Sequence, residues 1–235
     1  MIKFFRKIRQ NLLSENKFSK YLIYAIGEII LVVVGILIAL SINNWNESKK
    51  LNKEIVSLSK SIISELGDDI TAFDRAIILN DSVLNTSAVI FDSISKTKSG
   101  NVKKLLFLNS RYWDFRPNNA AYKSSVSSGF LPNYDDSLEI KIINYYEKRY
   151  TVLKIAALDQ THYARKVSDL LINEFPNYKL SDEVYNMRAL EIIVKDHVFN
   201  TIWVSNFSTG NLQQAMKETK EQAEQLIVSL EQLTE

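Results

Sequence analysis

The sequence predicts an all-α fold, in which one N-terminal transmembrane helix is followed by an elongated antiparallel helical bundle with coiled-coil-like segments. Three observations support this prediction. The 235 residues include only six glycines and three prolines, too few turn-forming residues for a many-stranded sandwich or barrel. One long apolar run lies near the N-terminus. Much of the remaining chain repeats apolar residues at spacings of three and four, which is the period of one helix face.

Residues 1–20 form a basic amphipathic segment with six basic side chains and a single acid, Glu15. Four of the cations lie mostly between regularly spaced apolar residues: Lys3, Arg6, Lys7 and Arg9. This pattern predicts a short cytoplasmic helix in the membrane interface, with these cations on anionic headgroups of the inner leaflet. A topology signal without fixed structure is the alternative. The sequence has no RNA-binding aromatic motif or zinc spacing, so no nucleic-acid partner is expected.

The apolar run from Tyr21 to Ile42 is predicted to be the transmembrane helix. It contains 22 residues with one carboxylate, Glu28. At about 1.5 Å per residue it reaches roughly 33 Å, enough to cross the hydrocarbon core. A cleaved signal peptide has a shorter apolar core and ends in small residues at its cleavage site. Because this run is longer and continues into "SINNWNE", a retained anchor is expected.

The flanking charges predict the orientation of this helix. Six basic residues precede it, whereas Lys49, Lys50 and Lys53 follow it closely. The helix is then expected to cross a bacterial inner membrane. The positive-inside rule places the N-terminus in the cytoplasm and residues 43–235 in the periplasm. Three flanking aromatic residues are predicted to anchor the helix at the two interfaces, with a chance position as the alternative: Tyr21, Tyr24 and Trp45.

Glu28 lies about one turn inside Tyr24 and shares a helix face with Gly35 and Ala39. Gly35 and Ala39 form a small-xxx-small pair, which allows a second helix to approach closely. Polar residues in membrane helices usually face a partner, so Glu28, Gly35 and Ala39 are predicted to form a membrane-helix interface in a homo-oligomer or with a partner membrane protein. Two alternatives remain open. The Glu28 carboxylate snorkels to the headgroups, or it carries protons as in the single-span subunits of ion-driven motors.

The helical pattern continues beyond Trp45 for roughly 45 residues, and Gly67 within it is a candidate kink. Its apolar stripe consists of Leu51, Ile55, Leu58, Ile62, Leu66, Ile70, Phe73 and Ile77, and it continues weakly through Leu84, Ala88 and Phe91. The segment "SKTKSGN" (95–101) is the first clear break, and a short apolar helix is predicted over 102–108.

An irregular insert is predicted over about 109–136, because Pro117, Gly129 and Pro132 fall within it beside many aromatic residues. Its segment "SSVSSG" (124–129) is interpreted as a polar turn in which Gly129 supplies a special backbone angle. Loops of this kind often carry function. The candidate partner-contact residues of this loop are Tyr112, Trp113, Tyr122, Ser128 and Gly129.

Three further helical segments complete the predicted bundle. The first runs from about Ser137 to the segment "FPNY", and the second follows the N-cap Ser181 as far as residue 204. The tail repeats its core positions at spacings of four and three, as a coiled-coil seam or a bundle helix does. These tail positions are Leu212, Met216, Thr219, Ala223, Leu226, Leu230 and Leu233.

No catalytic residue, metal site or cofactor is expected. Neither His162 nor His197 belongs to a metal-binding spacing. The paired acids Asp68–Asp69 and Asp135–Asp136 are interpreted as solvated or as charges at a helix start, because adjacent side chains diverge on a helix. The expected function is therefore a non-enzymatic membrane-anchored scaffold, adaptor or sensor of the bacterial envelope. The alternative is a single-span subunit of an ion-driven energy-transducing complex that uses Glu28.

Two segments resemble an uncharacterised bacterial family, a domain of unknown function. The closer match is "MIKFFRKIRQNLLSENKFSKYLIYAIGEIILVVVGILIALSINNWNE", and the second is "AYKSSVSSGFLPNYDDSLEIKIINYY". The matching positions of the second segment are Tyr122, Ser128, Gly129, Tyr145 and Tyr146. The resemblance implies a single-span inner-membrane protein with a helical extracytoplasmic region, and it implies no reaction.

Overall fold

The computed structural model describes residues 18–114, 116 and 118–234. The protein is all-α: 86% of the described residues are helical, and none of them belongs to a strand. It divides into two compact units, Met1–Glu54 and Ile55–Glu235. The predicted interfacial segment with Lys3, Arg6, Lys7 and Arg9 lies outside the described residues.

The described part of the first unit belongs to helix α1, Phe18–Thr97. An 18-residue window near the N-terminus of this helix has a mean hydropathy of 2.8, and none of the window is buried. Ile23 and Leu31 are each 71% exposed. By its length and composition α1 is therefore able to cross a membrane, as the sequence predicted.

The second unit contains the rest of α1 and the remaining helices of the chain. These are α2 (Val102–Asn109), α3 (Ala120–Ser127), a 3₁₀ turn (Leu131–Asn133), α4 (Asp136–Ile143), a π-turn (Asn144–Arg149), α5 (Tyr150–Asn173), α6 (Asp182–Ile193) and α7 (Asp196–Glu231). The three elements α4, π-turn and α5 follow one another without a break and form one helical leg.

The segment between α1 and α4 runs back along α1 and forms a second leg of the bundle. Asn109 bonds to Ser87 near the far end of α1, and Tyr134 bonds to Ser59 near residue 55. Between these points the backbone N–H of Ala121 donates to Glu65. The region predicted as an irregular insert is therefore a packed element of the bundle.

The two later legs complete an up-down-up-down arrangement. The leg α4–α5 runs in the direction of α1, since Tyr150 bonds to Asp69 and Val167 shares a core with Ile90. Helix α7 runs the opposite way: Lys220 pairs with Asp74, and Gln213 bonds to Asp81. These three long helices enclose the central core, which consists of Phe73, Ala76, Leu153, Ala157, Leu212, Ala215 and Met216.

The buried seam of α1 alternates spacings of four and three but is not purely apolar. Its fully or largely buried positions are Ile55, Ser59, Ile62, Leu66, Asp69, Phe73, Ala76, Ser87, Ile90 and Ile94. Helix α7 shows the same alternation from Val198 to Leu230. The spacing places successive core residues along one face, as in coiled-coil packing. The tail seam is confirmed from Leu212 to Leu230, whereas Leu233 lies beyond α7 and is 40% exposed.

Several local predictions are confirmed. Ser181 caps α6 by accepting a bond from the backbone N–H of Val184, and Asp135 caps α4 by accepting one from Leu138. Gly129 has a φ of +71°, which favours glycine. Helix α1 continues through Gly67.

Two predicted boundaries are wrong. Residues 124–127 of "SSVSSG" belong to α3, whose end is capped at Ser128, so the insert holds a helix as well as a turn. The helix predicted from Ser181 to residue 204 ends at Ile193, and Lys195 is extended. The break follows from the five-residue gap between the buried residues Ile193 and Val198, because a gap of five does not keep two side chains on one helix face.

Candidate functional site

Four buried tyrosines pack against one another in the second unit and form the tyrosine cluster: Tyr122, Tyr145, Tyr146 and Tyr150. The rings of Tyr122 and Tyr146 are stacked, with centroids 4.4 Å apart and planes within 8°. The ring centroid of Tyr145 lies 5.0 Å from the ring centroids of both Tyr146 and Tyr150. All four side chains are at most 7% exposed, so their contacts contribute packing energy as well as hydroxyl groups.

The π-turn explains how one helix buries three of these rings. Ile142, Tyr146 and Tyr150 follow one another at spacings of four, and in an α-helix each such step moves the side chain further around the axis. A π-turn holds more residues per turn, since its N–H groups reach the carbonyl five residues back. Tyr150 N–H donates to the carbonyl of Tyr145 in this way. The wider turn therefore keeps the side chains of Ile142, Tyr146 and Tyr150 in the core. Turns of this kind are frequent at functional sites.

A buried carboxylate faces the cluster from α1. Asp69 is 6% exposed, and its Oδ2 accepts a hydrogen bond from the Tyr150 hydroxyl. Burial raises the pKa of Asp69 to about 6; the hydrogen bond from Tyr150 opposes this shift, and the nearby acids Glu65 and Asp68 add to it. The site therefore holds a carboxyl group that changes its protonation in the mildly acidic range.

Two further carboxylates take part in the cluster. The Tyr122 hydroxyl donates to Glu147 Oε1 at 2.9 Å, and Glu65 Oε1 accepts from the backbone N–H of Ala121 at 2.8 Å. The hydroxyl of Tyr146 is buried and has no hydrogen-bond partner among the described residues. The cluster thus ties α1, α3 and the π-turn together through polar as well as aromatic contacts.

The tyrosines of the cluster are neutral hydrogen-bond donors at physiological pH. Burial raises the pKa of Tyr122 to about 12 and also raises the pKa values of Tyr145, Tyr146 and Tyr150. A phenol with a raised pKa is a poor nucleophile and a poor base. The chemistry that the arrangement supports is hydrogen bonding and the reversible protonation of Asp69. In the part of the chain that the structure describes, no group of three or more acids and histidines is placed to hold a metal ion.

The predicted partner-contact residues are divided by the fold. Tyr112 is 52% exposed, with the Arg165 guanidinium 5.6 Å from its ring. Ser128 and Gly129 are also exposed. Trp113 is half-buried and packs edge-on against Phe73 at 6.2 Å. Assigning Tyr122 to a contact surface was wrong, because this side chain is 7% exposed and stacks in the tyrosine cluster.

The predicted membrane-helix residues lie in the first unit. Beyond its chain neighbours and its own helix backbone, Gly35 has no atom within 4 Å of where a Cβ would stand. Ala39 is exposed, and Glu28 and Tyr24 are half-buried. Trp45 is 65% exposed, with the Lys49 ammonium 5.2 Å from its ring. The side chain of Tyr21 lies outside the described residues. The contact of Glu28, Gly35 and Ala39 with a second membrane helix stays a prediction.

Sequence reasoning missed Asp69 and Tyr150. Asp69 was interpreted as solvated, which is wrong, because it lies in the buried seam between Leu66 and Phe73. Its spacing of three from Leu66 and four from Phe73 was the available signal, but a count restricted to apolar residues passes over it. The family resemblance did point to Tyr122, Tyr145 and Tyr146, which the structure brings together.

Comparison with known proteins gives one match. A model of a family described as a family of unknown function (DUF6090) matches residues 28–209. The matched region includes Glu28, Gly35 and Ala39 as well as the whole tyrosine cluster. No curated protein and no solved structure matches the chain.

Proposed function

Because the chain belongs to this family of unknown function, we propose its role from its own architecture: a membrane-anchored, non-enzymatic scaffold, adaptor or sensor of the bacterial envelope that self-associates. The observation that carries the proposal is the exposed apolar surface of α1 in the first unit. Apolar surface of this extent is unfavourable in water by about 25 cal/mol per Å². A lipid bilayer and a second membrane helix both remove that cost.

The polar groups of the second unit support a structural role. Three polar side chains of the α1 seam have partners on other elements: Ser59 with Tyr134, Asp69 with Tyr150 and Ser87 with Asn109. Polar pairs at seam positions fix the register of packed helices. Within the proposal, this bundle presents a fixed surface to a partner. Asp69 is the titratable group through which the protein would sense pH.

The proposed topology places the N-terminus in the cytoplasm and residues 43–235 in the periplasm. The basic residues Lys3, Arg6, Lys7 and Arg9 then face the anionic inner leaflet, as the positive-inside rule requires. Alkaline phosphatase, which is active in the periplasm, is expected to be active when fused after Glu235, whereas a fluorescent protein that folds only in the cytoplasm is expected to stay dark there. The reverse pattern would refute the proposed location.

Replacing Gly35 by isoleucine is expected to weaken self-association in membranes at least several-fold. A Cβ fits at this position, because nothing outside the chain neighbours and the helix's own backbone lies within 4 Å of it. The new side chain would instead keep a second helix from approaching closely at Gly35 and Ala39. Chemical cross-linking of the full chain in native membranes, followed by immunoblotting, measures the effect.

Ser41→Ile is the matched control for this substitution, since it places the same side chain about 120° around the same helix from Gly35. It should leave the cross-linked dimer band at the wild-type intensity. An unaltered dimer band in the Gly35→Ile variant would sink the proposed interface, and equal losses in both variants would do the same.

A further inference from the structure

A surface groove of about 750 Å³ lies between the α4–α5 leg and the end of α7. The π-turn forms much of one wall, where Asn144, Lys148 and Arg149 line the groove, and Lys141 of α4 extends this wall. Gln222, Gln225 and Ser229 of α7 line the opposite wall. A volume of this size is typical of sites for small organic ligands.

The groove is positively charged on a domain that is otherwise slightly acidic. Residues 55–235 carry 20 basic and 23 acidic side chains. The described residues that line the groove include three cations and no acid. Arg149 pairs with Glu218 next to the groove, whereas Lys141 and Lys148 make no ion pair with any described residue. Two lysines that line one open concavity therefore have no carboxylate partner among the described residues.

The hydrogen-bonding groups of the groove also favour an anion. Lys141 Nζ donates to Ser229 Oγ at 3.1 Å, which draws the two walls together at one end. The side chain of Arg149 is 14% exposed and is paired with Glu218, so the two lysines are the cations available to a ligand. Ammonium groups, amide N–H groups and a hydroxyl are the donors that bind carboxylate and phosphate oxygens.

The groove also has an apolar part. Tyr145, Val152 and Leu226 line it, and Tyr145 is also a member of the tyrosine cluster. A ligand that fits both parts of the groove has an apolar body against these residues and an anionic head near the lysines. The tetrahedral phosphate or planar carboxylate of such a molecule accepts several bonds at once.

We propose that this groove is a binding site for a small amphipathic organic anion, whose phosphate or carboxylate group lies against Lys141 and Lys148. The π-turn is the device that builds it, because the widened turn supplies a wall of the groove while Tyr145 joins the groove to the tyrosine cluster. The binding site depends on neither membrane anchoring nor self-association. The same head-group chemistry occurs in soluble phosphate esters and in anionic lipids.

Titration calorimetry with phenyl phosphate tests the proposal on the full chain in phosphatidylcholine nanodiscs. Phenyl phosphate, which has an apolar ring and an anionic head, is expected to bind saturably with one site per chain and more tightly than inorganic phosphate. The double variant Lys141→Gln/Lys148→Gln is expected to lose about tenfold or more in affinity. Both lysines are exposed, so its thermal unfolding should match that of the wild type.

Lys123→Gln is the matched control, since Lys123 is exposed on α3 and is not among the residues that line the groove. It should bind phenyl phosphate with the wild-type affinity. Absence of saturable binding at millimolar phenyl phosphate, or unchanged affinity in the double variant, would overturn the proposal. Nanodiscs that contain phosphatidylglycerol test whether the anion is a lipid headgroup or a soluble molecule. Weaker phenyl phosphate binding in these nanodiscs identifies the lipid headgroup as a competitor for the groove, and unchanged binding identifies a soluble anion.

Discussion

Replacing Phe73 by alanine is expected to lower the free energy of unfolding of the helical bundle by about 3–5 kcal/mol. The side chain is fully buried and shares the central core with Leu153 of α5 and Met216 of α7. It also packs edge-on against Trp113 of the second leg. Because three other legs contribute side chains to the core around this ring, its removal leaves a cavity that no single element can fill. Urea unfolding of the full chain, followed by circular dichroism, measures the loss.

Ile78→Ala is the control for this prediction, because Ile78 lies on the same helix and is 68% exposed. Its effect should stay within about 0.5 kcal/mol of the wild type. If Phe73→Ala were as mild as the control, α1 would not be packed into a common core with α5 and α7. The comparison therefore tests the arrangement of the legs as well as one contact.

The sequence predicted the long helices because their periodicity is local. Ile55, Ile62, Leu66 and Phe73 were all placed on the correct stripe of α1, and each is buried. Three other members of that stripe, Leu58, Ile70 and Ile77, were displaced by one position from a buried residue. Leu58 and Ile70 were chosen although the buried neighbours are Ser59 and Asp69, since a count of apolar residues cannot recognise a polar side chain whose partner lies on another element.

The tyrosine cluster could not be predicted because its contacts are distant in sequence. Tyr150 bonds to Asp69, 81 positions away, and neither residue belongs to a recognisable motif. The π-turn that brings Tyr145, Tyr146 and Tyr150 into one core leaves only a weak trace, a succession of spacings of four from Leu138 to Tyr150. The groove beside it arises from the same turn, so it was equally hidden from an analysis of α-helical periodicity.

The turn after α1 shows the opposite case, in which local chemistry was sufficient. The segment 95–101 was predicted as a break, and α1 ends at Thr97. Lys98 has a φ of +50° and Gly100 a φ of +158°, backbone angles that end a helix. This break depends on the backbone preferences of single residues, which the sequence shows directly.

Asp69→Asn is expected to abolish one component of the pH dependence of stability. Asp69 has a pKa of about 6 in the folded chain against an ordinary value of 3.8. Below about pH 4 the carboxyl group is protonated in both states, so its contribution to stability is fully present. As the pH rises through 6, the folded chain must hold a buried carboxylate, and the free energy of unfolding falls by on the order of 2 kcal/mol. Asparagine stays neutral, and its carbonyl oxygen can still accept the Tyr150 hydroxyl.

The stability difference between Asp69→Asn and the wild type should therefore grow in favour of the variant from pH 4 to pH 7 and then level off. Urea unfolding of both proteins at a series of pH values measures this difference. The subtraction removes the contributions of the other titratable groups, because both proteins share them. Asp159→Asn, an exposed position on α5, should show a difference that hardly changes with pH. A flat difference for Asp69→Asn would mean that the carboxylate is solvated in the folded chain. A growing one would establish that the cluster weakens as its acid ionises, which is the property that a sensor of mild acidity needs.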